Sequence, residues 1–132
     1  MDLSRQRLTD LRNGLLHLHK TLLDSERRVY EREIQRIESS GQLLTLVLHD
    51  PWFHYLHELS MLVVFIDESL DAEEPVTPAD ADRLVKQARI LLTPQENGKG
   101  FEQRYFEALQ RDPDVVIAHA ATLRLLAELG LK

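Results

Sequence analysis

Six histidines and no cysteine set the chemistry this chain can offer. Imidazole and carboxylate are then its strongest metal donors and its proton-transfer groups near neutral pH. Two groupings stand out. His54, His57 and Glu58 share the stretch HYLHE, with His54 and Glu58 one helical turn apart and His57 beside them. Two imidazoles at that spacing seat zinc or another transition metal when a third ligand arrives from elsewhere. The chain has no HExxH and no Glu-x-x-His, the pairs that helical metal sites use. The simpler reading of these residues is a polar stripe at an interface. The second grouping is His19, Glu26 and His119. His19 lies among Leu15, Leu16, Leu22 and Leu23, Glu26 follows on the same side two turns later, and His119 sits between Val116 and Leu123. If the first and last helices are neighbours, the three meet inside the protein. They then form either a ligand or proton-transfer site or a polar layer that fixes helix register.

His17 points away from the leucine stripe, with Lys20 three residues on. An exposed helical histidine followed by a cation is similar to the acceptor of histidine phosphotransfer domains, which implies phosphoryl transfer from a partner's aspartate. Those domains follow the lysine with glycine and small residues, whereas this chain has Thr21, Leu22 and Leu23. Other chemistries lack their signatures. Asn97-Gly98-Lys99-Gly100 does not have phosphate-loop spacing, and no GxSxG elbow is present. The acidic stretch from Asp67 to Asp82 lacks the alternating oxygens and central glycine of a calcium loop. No cofactor is expected.

The elements that must hold these residues are helical. Leu8, Leu11, Leu15, Leu18 and Leu22 alternate spacings of three and four, which at roughly 100° per residue is one side of a helix. That helix covers 3–38, and Ser39-Ser40-Gly41 stops it with small residues and a glycine able to take positive φ. The run at 43–48 makes a helical turn or two. Asp50-Pro51, Thr77-Pro78 and Asp112-Pro113 each supply an N-cap followed by proline at the first helical position. Helices are expected at 51–70, from Pro78 to Pro94, at 101–109 and at 113–129. No alternating segment bounded by hairpin turns appears. The expectation is all-α: a single domain, 1–132, built as an up-down four-helix-type bundle with one or two additional short helices.

In the helix at 51–70, Tyr55, Leu59, Leu62, Ile66 and Leu70 form the core side, while Met61 and Phe65 fall on the opposite side with His54 and His57. A helix apolar on nearly all sides is central or covered on its second face. Either the pieces at 43–49 and 101–109 fold over it, or a second copy of the chain does. His54, His57, Met61 and Phe65 are therefore the expected interface of a homodimer.

The net charge of −6 opposes duplex binding, which needs cations to displace counterions. That charge is uneven: residues 39–82 carry nine acids and no lysine or arginine, so they must find cations on flanking helices or a partner. The longest apolar run, 59–66, falls far short of the ~20 residues of a membrane span. Without cysteine the cytoplasm is the default compartment.

Asp50-Pro51-Trp52-Phe53, Leu59-Ser60, Ile66-Asp67-Glu68 and Ala108-Leu109-Gln110-Arg111-Asp112-Pro113 together resemble a group of small bacterial all-helical bundle proteins of uncharacterised function. The resemblance implies a bacterial cytosolic bundle and no particular activity. The resulting expectation is a non-enzymatic interaction or regulatory protein acting as a homodimer, with a His/Glu metal or small-ligand bundle as the alternative.

Overall fold

The computed structural model describes residues 3–130. These contain six α-helices and no strand. Helix α1, Ser4–Glu33, is the longest at 30 residues. Leu8, Leu11, Leu15, Leu18 and Leu22 are completely buried along its inner side. It ends at Glu33, before the expected boundary. Residues 34–39 leave the helix, and this exit turns Ile37 into the core while Glu31 accepts the Ile37 N–H.

The stop expected at Ser39-Ser40-Gly41 is instead a start. Ser39 caps α2, Ser40–His49, by accepting the Gln42 N–H at 3.1 Å, and Gly41 keeps negative φ. Helix α2 buries none of its residues fully. Leu43, Leu46 and Val47 pack against the core, while Leu44 and Leu48 face outward.

The single helix expected at 51–70 is divided. Asp50 accepts the Trp52 N–H and starts one 3₁₀ turn, Pro51–Phe53. Helix α3, Leu56–Asp71, begins three residues later. The break lets Trp52 and Phe53 turn onto Tyr30 of α1, at ring distances of 5.9 and 5.5 Å. Thr77 and Asp80 then cap each other's backbone N–H groups to start α4, Pro78–Leu91. Gly100 takes φ +60, a conformation that only glycine adopts at low cost, and leads into α5, Phe101–Arg111. Asp112 and Pro113 start α6, Pro113–Gly130.

Helix α1 is the central element, so the helix at 51–70, expected to be either central or covered on its second face, is not the central one. Helix α1 packs against α3, α4, α5 and α6, and α4 also meets α3 and α6. Pairs along the seams give the directions. Arg12 meets Asp67 and His19 meets Ser60, so α1 and α3 are antiparallel. Arg7 reaches Leu129 and Arg28 reaches Asp112, so α1 and α6 are antiparallel too. Gly14 allows the second approach: a Cβ there would stand 2.5 Å from Cδ2 of Leu125. No helix among the described residues is long and apolar enough to cross a membrane.

Candidate functional site

Every seventh residue along one edge of α1 is polar: Arg5, Arg12, His19 and Glu26. Seven residues fall about 20° short of two full turns, so these side chains stand nearly in line. All four turn to α3 or its entry. Arg5 Nη1 donates to the Leu70 carbonyl at 2.9 Å, and Arg12 pairs with Asp67. His19 Nε2 and Ser60 Oγ share a hydrogen bond of 2.9 Å, and the Tyr55 hydroxyl donates to Glu26 Oε2 at 2.7 Å. The seam is a polar ladder beside a leucine core, and it admits one register between the two helices.

Glu26 is the deepest rung, with 1% of its surface exposed. A buried carboxylate needs charge partners. Two arginines of α5, also seven residues apart, supply them. Arg111 Nη2 donates to Oε2 at 2.8 Å and to Ser25 Oγ at 3.1 Å. Arg104 Nη2 donates to Oε1 at 3.4 Å and to the Trp52 carbonyl at 3.3 Å, with its guanidinium stacked over the Tyr55 and Trp52 rings. Glu107 and Asp112 lie on the rim, on Arg104 and Arg28 respectively. Burial pushes the Tyr55 hydroxyl far above the usual phenol range, and the charge of Glu26 adds to the effect. Tyr55 is thus held as a proton donor. One carboxylate ties α1, α3's entry and α5 together.

The three residues expected to form an inner site are not brought together. His19 bonds Ser60, Glu26 bonds Tyr55 and the arginines, and His119 bonds the Tyr105 hydroxyl. A row of rings intervenes, from Tyr55 through Phe101 and Tyr105 to the His119 imidazole, at 5.8, 5.2 and 5.2 Å. Burial lowers the pKa of both His19 and His119, so each stays neutral at pH 7. Burial also raises that of the Tyr105 hydroxyl. Every one of these groups is spent on holding a neighbouring helix.

The stripe along α3 and the turn before it is exposed. His54 and His57 lie in solvent with their rings stacked at 6.1 Å. Glu58 turns toward the α5 entry, its Oε1 3.4 Å from where a Cβ on Gly100 would stand. Among the described residues no three His, Asp or Glu side chains converge as metal ligands. The ligand trio expected of His54, His57 and Glu58 therefore does not converge. Met61 is half-buried, Phe65 is 53% exposed and Val64 41% exposed. Leu16 of α1, 39% exposed, occupies the same interval between the Arg12–Asp67 and His19–Ser60 pairs as Val64 does. Neither α2 nor α5 covers this patch.

His17 lines a groove of about 270 Å³ between α1 and α6, with Thr21, Asp24, Arg28, Asp114 and Ile117. Two acids beside the imidazole oppose a phosphoryl group there, and the one arginine is already paired with Asp112.

Sequence reasoning found His19 and Glu26 but missed Arg104, Arg111, Tyr55 and Ser60. Arg104 and Arg111 repeat the seven-residue spacing of Arg5, Arg12, His19 and Glu26, but nothing in the sequence alone pairs that spacing with a buried acid, and no such spacing marks Tyr55 or Ser60. No protein-family model matches the chain, and no curated protein or solved structure matches it.

Proposed function

We propose that this protein is a non-enzymatic interaction module that pairs with a second copy of itself through the outer face of α3. The exposed Val64 and Phe65 beside half-buried Met61, on a helix that is already buried on its other side, carry this reading. A contiguous apolar patch on a helix marks a surface meant for contact. Leu16 extends it across α1, and His54 and His57 border it. Phe65 also lines a groove of about 430 Å³ with Glu68, Ser69, Arg83, Leu84 and Gln87. Glu68 and Arg83 give a twofold partner opposite charges to meet, as a self-complementary interface requires. The interior histidines and Glu26 are engaged in fixed bonds, which supports a structural role for them. The cysteine-free composition supports a cytoplasmic setting.

Sedimentation velocity tests the reading. The wild type is expected to sediment at twice the 15.3 kDa chain mass, and Phe65→Glu to sediment as a monomer with unchanged helicity. A wild-type monomer at all concentrations, or a dimer indifferent to Phe65→Glu, refutes it.

A further inference from the structure

A second groove, of about 400 Å³, opens where α4 passes the C-terminal end of α6. Arg7, Asp82, Val85, Lys86, Arg89 and Ile90 line it. Three cations here face one acid, in a chain whose net charge is −6. The contrast with the Glu26 cluster is informative, because there Arg104, Arg111 and Arg28 are matched by Glu26, Glu107 and Asp112.

Two of the three cations are fixed by the fold. Arg7, 7% exposed in its side chain, donates from Nη2 to Asp82 at 2.7 Å and to the Leu129 carbonyl at 2.9 Å. Arg89 donates to the Leu126 carbonyl at 3.0 Å. These bonds satisfy the open carbonyls at the end of α6. Lys86 is exposed and has no ion-pair partner among the described residues. The Arg7 Nε is buried without an acceptor, and a buried donor left unpaired calls for an oxygen. Asp82 holds Nη2 from the solvent side, with 62% of its own side chain exposed, so a ligand oxygen reaches the Arg7 guanidinium by taking the place of Asp82. Beside the cations stand two apolar side chains, Val85 in the floor and Ile90, 62% exposed, at the mouth.

We propose that this groove binds a small carboxylate bearing an apolar chain. The carboxylate takes the place beside Arg7 and Lys86, and the chain runs along Val85 to Ile90. The volume lies in the range of small-molecule sites, and a guanidinium edge is suited to a carboxylate by geometry as well as charge.

The test titrates the full chain with acetate, butanoate and hexanoate at constant ionic strength, following backbone amide shifts. Saturable shifts are expected in α4 around Lys86 and Ile90. Affinity is expected to rise about fourfold for each methylene that leaves water. Lys86→Glu, a change at an exposed position, is expected to weaken all three ligands by about tenfold. Ile90→Ser is expected to flatten the dependence on chain length while leaving acetate unchanged. Non-saturating shifts, equal binding by Lys86→Glu, or equal affinity across the three acids would each overturn the proposal.

Discussion

Glu26→Gln keeps the shape of the deepest polar side chain and removes its charge. In the wild type that carboxylate accepts from Tyr55 at 2.7 Å and Arg111 at 2.8 Å, with Arg104 at 3.4 Å. Breaking a buried ion pair by removing one partner costs about 3–5 kcal/mol. Two facts reduce that figure here. Arg104 and Arg111 are 31% and 30% exposed, so water screens their orphaned charge. The glutamine carbonyl still accepts one bond. The expected loss is about 2–3 kcal/mol, or roughly 10 °C in melting temperature for a domain of this size. Urea unfolding followed by far-UV circular dichroism measures it. Glu107→Gln removes the same charge from a half-exposed site on Arg104, and is expected to stay within about 0.5 kcal/mol of wild type. A cycle with Tyr55→Phe is expected to show coupling of about 1 kcal/mol. A loss under about 0.5 kcal/mol for Glu26→Gln, or strict additivity with Tyr55→Phe, refutes the role given to this cluster.

Stability also depends on pH in a direction that the burial of two histidines fixes. His19 and His119 resist protonation in the fold, so the unfolded chain protonates first, near 6.5. Their contribution is complete above that pH and is lost as pH falls through the depressed native values. Urea midpoints measured from pH 7.5 to 5 follow this loss, and His19→Asn is expected to make the step shallower. A second loss follows in stronger acid. Burial pushes the Asp112 carboxyl up, but its bonds to Ser25, Arg28 and the Asp114 N–H outweigh that and lower it. Hydrogen bonds from Arg27 and the Ile37 N–H lower Glu31, and those of the Thr77 cap lower Asp80. Gly100→Ala places a side chain at φ +60, ψ −126 and is expected to cost about 2 kcal/mol by thermal melting; an unchanged melting temperature would show that the loop relaxes.

The helical class was plain in the leucine spacing of α1 and in three Asp-Pro or Thr-Pro starts, because caps and periodicity are local. Less local features were misread. Helix α1 stops at Glu33, because leaving the helix there lets Ile37 reach the core. Trp52 and Phe53 take a 3₁₀ turn for a similar reason, both of them packing against the one ring of Tyr30. Of the inner site, the burial of Glu26 was legible from its place on the leucine side of α1. Its arginine partners were not, since Arg104 and Arg111 look like surface residues in a short helix and are drawn inward by the carboxylate together with the Trp52 carbonyl and Ser25. Arg7 is a similar case, buried by the end of α6 and by Asp82, 122 and 75 residues away in sequence.

That four helices lean on α1, while α2 packs chiefly on the adjoining 3₁₀ turn, divides the molecule into two tiers of opening. No segment of the first tier can detach without baring the leucines of α1, so its slowest-exchanging amides report the melting of the whole. Helix α2 has no fully buried residue to expose, only the half-buried Leu43, Leu46 and Val47, and is expected to open while the rest stays folded. A protease working on the native protein is therefore expected to cut first within residues 40–49, and the cut leaves the polar ladder of α1 and α3 standing.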